Sequence, residues 1–124
     1  MLQFRSHTVA DVILVEFLMP GIHDGPEIDE ISEELHEMIG RSTSKRMIID
    51  LARVRFMASR ALSLLVNLKQ LVDIHHGQLL ICGLREQVQQ IFRITGQDRF
   101  LTLQPDRDHA LAALSVPATE QGSR

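Results

Sequence analysis

Cysteine and large aromatic side chains are scarce in this sequence, which has one cysteine, five phenylalanines and neither tryptophan nor tyrosine. Cys82 lies in the apolar run QLLICGL and has no disulfide partner, which indicates a buried thiol in a reducing compartment. The formal net charge is −3, without a clustered basic face or stacking aromatics. We therefore expect no direct contact with nucleic acid.

Long hydrophobic runs are also missing. No stretch approaches the roughly 20 apolar residues of a membrane helix, and the start MLQFRSHT is not of signal-peptide type. These absences predict a cytoplasmic protein that does not insert into a membrane. A length of 124 residues fits one domain, expected over residues 1–114, with residues 115–124 as a polar tail.

Catalytic patterns are not evident either. The sequence has no glycine-rich phosphate loop, and no nucleophile with a base or pair of acids stands out. The adjacent His75 and His76 suggest a metal site, but neighbouring helical residues point about 100° apart and a helix C-terminus favours histidine without any metal. We expect no enzymatic activity, cofactor or metal.

Strand-like and helix-like segments alternate along the rest of the chain, which predicts an α/β fold around a largely parallel sheet. Helices are expected from Asp24, where Asp24 caps and Pro26 fits the first turn, to Gly40, and from Ser59 to Gly77. A third helix ends at Gly96, and a short one covers residues 106–114. Buried strands are expected at residues 11–18, 47–51 and 79–82, with weaker edge strands at 2–9 and 100–103.

Three strings in this order resemble the STAS domain of bacterial anti-sigma factor antagonists: IIDLARVRFMAS, GQLLICGL and VQQIFRITG. The resemblance covers residues 11–114. It implies a STAS-like fold, with a mostly parallel mixed sheet of four to five strands and about four flanking helices.

The resemblance also implies a function. Antagonists of this family bind an anti-sigma factor that is itself a serine protein kinase, which regulates transcription indirectly, and phosphorylation of one loop serine ends the binding. Ser59 falls on the phosphoacceptor position, and Asp24 falls on the aspartate of a Gly-x-x-Asp loop near it. Three residues depart from the family motif: Ala58 replaces aspartate, Arg60 a small hydroxyl residue and Ala61 glycine.

The physics of this loop agrees with the implied role. Ser59 is expected past the carboxyl end of a parallel strand, at a helix start, where the backbone N–H groups and the dipole favour a phosphate. The expected partner-binding residues are Asp24, Met57, Ala58, Arg60, Ala61 and Leu62.

Local roles explain some of the same residues. Ser59 and Asp24 are also favoured helix caps, Arg60 could bind an acid of a partner or offset the phosphate, and Asp50 is expected to make a polar contact at its strand end. A constitutive STAS subunit of a transporter or signalling complex is the main alternative, a nucleotide-binding role the third, and homodimerisation stays open.

Overall fold

A mixed five-stranded sheet with helices on both faces forms the centre of the molecule, as a computed structural model describes it for residues 4–114. The predicted tail and residues 1–3 lie outside the described residues. The strands are β1 (Phe4–Val9), β2 (Val12–Phe17), β3 (Gly21–Ile22), β4 (Arg46–Asp50), β5 (Phe56–Met57), β6 (Gln78–Cys82) and β7 (Thr102–Gln104). The helices are α1 (Pro26–Arg41), α2 (Ser59–Ile74), α3 (Glu86–Ile94) and α4 (Arg107–Ala113), with a 3-10 turn at Gln97–Arg99.

The sheet has the strand order β1-β2-β4-β6-β7, and only the β1–β2 pair is antiparallel. β1 and β7 are the edge strands, as predicted, although β7 begins two residues later than the predicted strand at 100–103. The mostly parallel mixed sheet and the four helices confirm the predicted fold class. β3 and β5 form a separate two-stranded parallel sheet that the sequence analysis missed.

Side chains alternate between two cores on either side of the sheet. In β4, Met47 and Ile49 belong to the larger core beneath α1, α2 and α3, whereas Ile48 belongs to the smaller one beneath α4. Both faces are sealed, since all three side chains have no exposed surface. This double coverage explains why Met47, Ile48 and Ile49 form a continuous apolar run.

Two of the three predicted glycine helix ends are corrected. α1 continues through Gly40 to Arg41, because Lys45 Nζ donates to the carbonyls of Ile39 and Gly40, 2.8 and 3.0 Å away, and satisfies the helix end without a left-handed glycine. After α2 it is His76 that takes the left-handed conformation, with φ 61°. Gly96 has φ 75° after α3 and confirms the third prediction.

Within residues 4–114, no helix combines the length and apolar character needed to span a membrane. The same part of the chain contains no group of three or more histidine, cysteine or acidic residues placed to hold a metal ion. His75 and His76 are both exposed at the end of α2.

Candidate functional site

The β3–β5 pair brings together two loops that are distant in sequence. Gly21 pairs with Phe56 and Ile22 with Met57, and the N–H of Ala58 donates to the carbonyl of Ile22 at 2.8 Å. The loop before α1 therefore lies beside the start of α2. We call the surface formed by His23, Asp24, Phe56, Ser59 and Arg60 the helix-mouth surface.

Ser59 is exposed and is the first residue of α2. The predicted capping role is wrong: Ala58 occupies the N-cap, with φ −68° and ψ 158°, and no side chain caps the helix. The Ser59 hydroxyl is therefore not committed to a cap. Ser59 lies past the carboxyl ends of β4 and β5, as the sequence analysis expected.

Three of the predicted partner-binding side chains lie beneath the surface. Met57, Ala61 and Leu62 are between 1 and 2% exposed and belong to the larger core. They fix the loop and the first turn of α2 to the body of the domain, because any rigid displacement of that turn would pull apolar surface out of the core. Of the other predicted residues, Asp24, Ser59 and Arg60 are exposed and Ala58 is partly exposed.

Arg60 links the starts of α1 and α2 by two ion pairs. Its Nη1 donates to Asp24 Oδ1 at 2.6 Å, and its Nη2 donates to Asp29 Oδ1 at 3.0 Å. The hydrogen bond and charge of Asp24, followed by the charge of Asp29, raise the pKa of Arg60 above its ordinary value. The predicted capping role of Asp24 is wrong, since Gly25 holds the N-cap of α1 and makes no side-chain cap.

An exposed ring pair completes the helix-mouth surface. The rings of His23 and Phe56 stack with centroids 5.1 Å apart, and Phe56 is 44% exposed. Neither residue was among the predicted site residues. Phe56 is within the quoted motif, where it follows the exposed Arg55 and precedes the buried Met57.

Charged residues behind this surface hold the loop between β4 and β5. Asp50 is buried, accepts the N–H of Ala52 at 2.9 Å, and pairs with Arg107 of α4 at 2.8 Å. This confirms the predicted polar contact at the strand end. Arg85 donates to the Ala52 carbonyl at 2.8 Å, so β4, α4 and the α3 start all fix the loop that leads to Ser59.

Next to Asp50 in the sheet, Cys82 is fully buried, as predicted. Burial and the neighbouring Asp50 carboxylate raise the pKa of the Cys82 thiol to about 12. The thiol is therefore protonated near neutral pH and serves as core packing.

Comparison with known proteins gives the family. Residues 16–110 match the model of the STAS domain, and the chain belongs to that family. A curated relative is BtrV of Bordetella bronchiseptica, assigned as an anti-sigma factor antagonist. It is 28% identical over 102 residues, which cover 79% of this chain and 84% of BtrV.

Solved structures agree on the fold. An anti-sigma-factor antagonist (STAS) domain protein from Planctomyces limnophilus has a TM-score of 0.80 at 20% identity, over 92% of this chain and 98% of that one. The anti-sigma factor antagonist SpoIIAA in its unphosphorylated form has a TM-score of 0.75 at 14% identity, over 92% and 98%. The phosphorylated form from Bacillus has 0.68 at 14%, over 90% and 98%.

Proposed function

We propose that this chain is an anti-sigma factor antagonist, a protein-binding module with no catalytic role of its own. A kinase-type anti-sigma factor in the cytoplasm binds its helix-mouth surface and phosphorylates Ser59. Phosphorylation ends the binding. STAS antagonists form a protein-binding regulatory family, and both BtrV and the structural relatives support this class of partner.

The exposed Ser59 at the uncapped start of α2 carries the proposal. α1, α3 and α4 each have an acidic residue in their first turn, at Glu27, Glu86 and Asp108, but the first turn of α2 has none. A phosphate added there meets the positive end of the helix dipole without a carboxylate on its own first turn. The domain can thus be phosphorylated without unfolding.

The departures from the family motif are compatible with this role. Ala61 is 2% exposed and its methyl group is packed in the core, so glycine is not needed at this point. Ala58 removes a carboxylate from the loop, and Asp24 of the neighbouring loop supplies one through Arg60. The acidic group at this surface is therefore the family-type Asp24 of the loop before α1, which contacts Arg60, the residue after Ser59.

The switch acts by charge at a docking surface. A phosphate adds about −1.5 to −2 charge at neutral pH, and a closely packed partner would have to desolvate it. A cost of about 3 kcal/mol would weaken binding by roughly two orders of magnitude. The exposed Phe56 ring supplies apolar contact area that makes such a close approach favourable.

Phosphorylation by the cognate kinase tests the proposal. The full chain is incubated with that kinase and ATP, and the site of incorporation is read by mass spectrometry. We expect one phosphate per chain in wild type and none in Ser59→Ala. Ser63→Ala is the matched control, because Ser63 is exposed one turn later on α2 and its loss should leave labelling unchanged. Equal labelling of Ser59→Ala would reject the assignment.

A constitutive STAS subunit in a signalling complex is the second candidate. The residue at position 60 favours this candidate. Arg60 places a permanent cation, held by two ion pairs, at the start of α2, where the family motif has a second small hydroxyl residue. One structural neighbour, at a TM-score of 0.70 and 17% identity, comes from the stressosome, described as a signal integration and transduction hub. This candidate predicts stable assembly that Ser59→Ala and Ser59→Asp leave unchanged.

A further inference from the structure

Arg60 follows Ser59 directly and is paired with carboxylates from a different helix and loop. Its guanidinium contacts Asp24 and Asp29 at 2.6 and 3.0 Å, and all three side chains are at least half exposed. Half-exposed ion pairs of this kind are weak, because water and salt compete for both charges. A stronger anion nearby would draw the guanidinium away from them.

We propose that Arg60 is an internal counter-ion that moves from Asp24 and Asp29 to the phosphate when Ser59 is phosphorylated. The inference rests on the proposed function, since it requires a phosphate on Ser59. A phosphate carries more charge than either carboxylate and accepts a bidentate guanidinium fork. The exchange is therefore favourable even though it breaks two ion pairs.

The position of both residues in the first turn permits the exchange. Consecutive helical residues do not face each other in a helix interior, but every Cα–Cβ bond tilts toward the N-terminus. Ser59 and Arg60 are the first two residues of α2, so both side chains project over its open mouth. Arg60 already extends across that mouth to reach Asp24 in the neighbouring loop.

The exchange changes the surface on two helices. Asp24 and Asp29 lose their counter-ion, and the direct link between the starts of α1 and α2 is broken. A partner that docks across both helices would then meet two unpaired carboxylates as well as the phosphate. Phosphorylation of this chain would alter the α1 side of the surface, not only the immediate neighbourhood of Ser59.

The test uses chains that carry phosphoserine at position 59 from synthesis, with Arg60 or with Arg60→Gln. Phosphorus NMR measures the second pKa of the phosphate, which is near 6 for an unperturbed phosphoserine. We expect that pKa to be lower by about 0.5 units or more when Arg60 is present, because a close cation favours the dianion. Arg60→Lys should recover part of the shift, since it keeps the charge without the fork.

His23, Glu27 and Arg55 are further titratable groups on the segments around the mouth, and they are unchanged in these variants, as are Asp24 and Asp29. A second readout is the guanidinium NMR signal of Arg60, which should move with the phosphate titration. The signal of Arg41, paired with Glu37 at the far end of α1, should stay fixed.

Superimposable phosphate titrations with Arg60 and with Arg60→Gln, or a stationary Arg60 signal, would overturn the exchange. Because the phosphate is introduced without a kinase, these outcomes are independent of the proposed function. Kinase labelling at Ser59 with no exchange rejects only the inference, and exchange without kinase labelling rejects only the proposed function.

Discussion

At the scale of single residues, Glu16 shows how a carboxylate near the end of β2 is stabilised by three arginines. Its side chain is 14% exposed and lies within 2.8 Å of Arg5, 3.4 Å of Arg53 and 3.6 Å of Arg107. Burial raises the pKa of Glu16, but the hydrogen bond and charge of Arg5, with the charges of Arg107 and Arg53, outweigh it and lower the pKa below the ordinary value of 4.5. The folded state therefore favours ionised Glu16.

This direction sets the sign of a pH dependence. A depressed carboxyl pKa stabilises the fold above the unfolded value, near 4.5, and the contribution is lost as the pH falls through the lower folded value. We expect the difference in unfolding free energy between wild type and Glu16→Gln to be full at pH 7 and to shrink below about pH 4.5. Urea unfolding at a series of pH values measures it.

Glu37→Gln is the control for Glu16→Gln. Glu37 pairs with Arg41 on the surface of α1, with both side chains about 70% exposed, and such pairs contribute little. Its difference from wild type should stay near zero throughout. A Glu16→Gln difference that grows as the pH falls would mean that the arginines do not hold the carboxylate in its ionised form.

At the scale of elements, the turn between α2 and β6 depends on a close backbone approach. A Cβ on Gly77 would overlap the carbonyl oxygen of Lys45, and the N–H of the next residue, Gln78, donates to that same oxygen at 2.9 Å. Gly40 is the opposite case, because a Cβ there has nothing within 4 Å and the residue is within α1. The two glycines therefore make a matched pair.

We expect Gly77→Ala to destabilise the domain by several kcal/mol, since the β4 and β6 ends must separate to admit the methyl group. Gly40→Ala should stabilise it by about 0.5–1 kcal/mol, because alanine loses less backbone entropy in a helix. Thermal or urea unfolding of both variants gives the two values. Equal effects of the same sign would contradict this account of the turn.

The elements also show what sequence patterns can and cannot predict. The long helices were predictable because a packed face repeats over many residues, as in the apolar stripe of α2, and the central strands because burial on both faces gives a continuous apolar run, as in MII of β4. β3 and β5 have two residues each, too few for any period. Yet this pair is what brings the two loops of the helix-mouth surface together.

The helix ends and the site contacts depended on tertiary partners. Lys45, and not a glycine, satisfies the end of α1. Asp24 and Ser59 do not have the capping roles that their residue types favour. Arg60 pairs with Asp24 and Asp29, which are 36 and 31 residues away in the sequence, and no local pattern predicts contacts at that distance. The position of Ser59 could be predicted, but the ion pairs around it could not.

At the scale of the whole molecule, the exposed hydroxyl of Ser59 is on a turn that is packed firmly against the body of the domain. Residues beneath the first turn of α2 are in the larger core. Asp50 and Arg85 both bond to Ala52 of the preceding loop, and Arg107 pairs with Asp50. We therefore expect a change in charge at Ser59 to leave the backbone in place and to act on the binding of a partner at the helix-mouth surface.

The most direct test of this account measures affinity for the cognate kinase-type anti-sigma factor by calorimetry. Ser59→Asp should weaken binding by roughly two orders of magnitude with an unfolding midpoint equal to or slightly above that of wild type, since it adds a charge that the start of α2 favours at an exposed residue. Ser59→Asn, which matches its shape without the charge, and Asn67→Asp, which places a charge two turns along α2, should bind nearly as wild type. Wild-type affinity in Ser59→Asp, or an equal loss in Ser59→Asn, would contradict the central claim that the partner senses charge at Ser59.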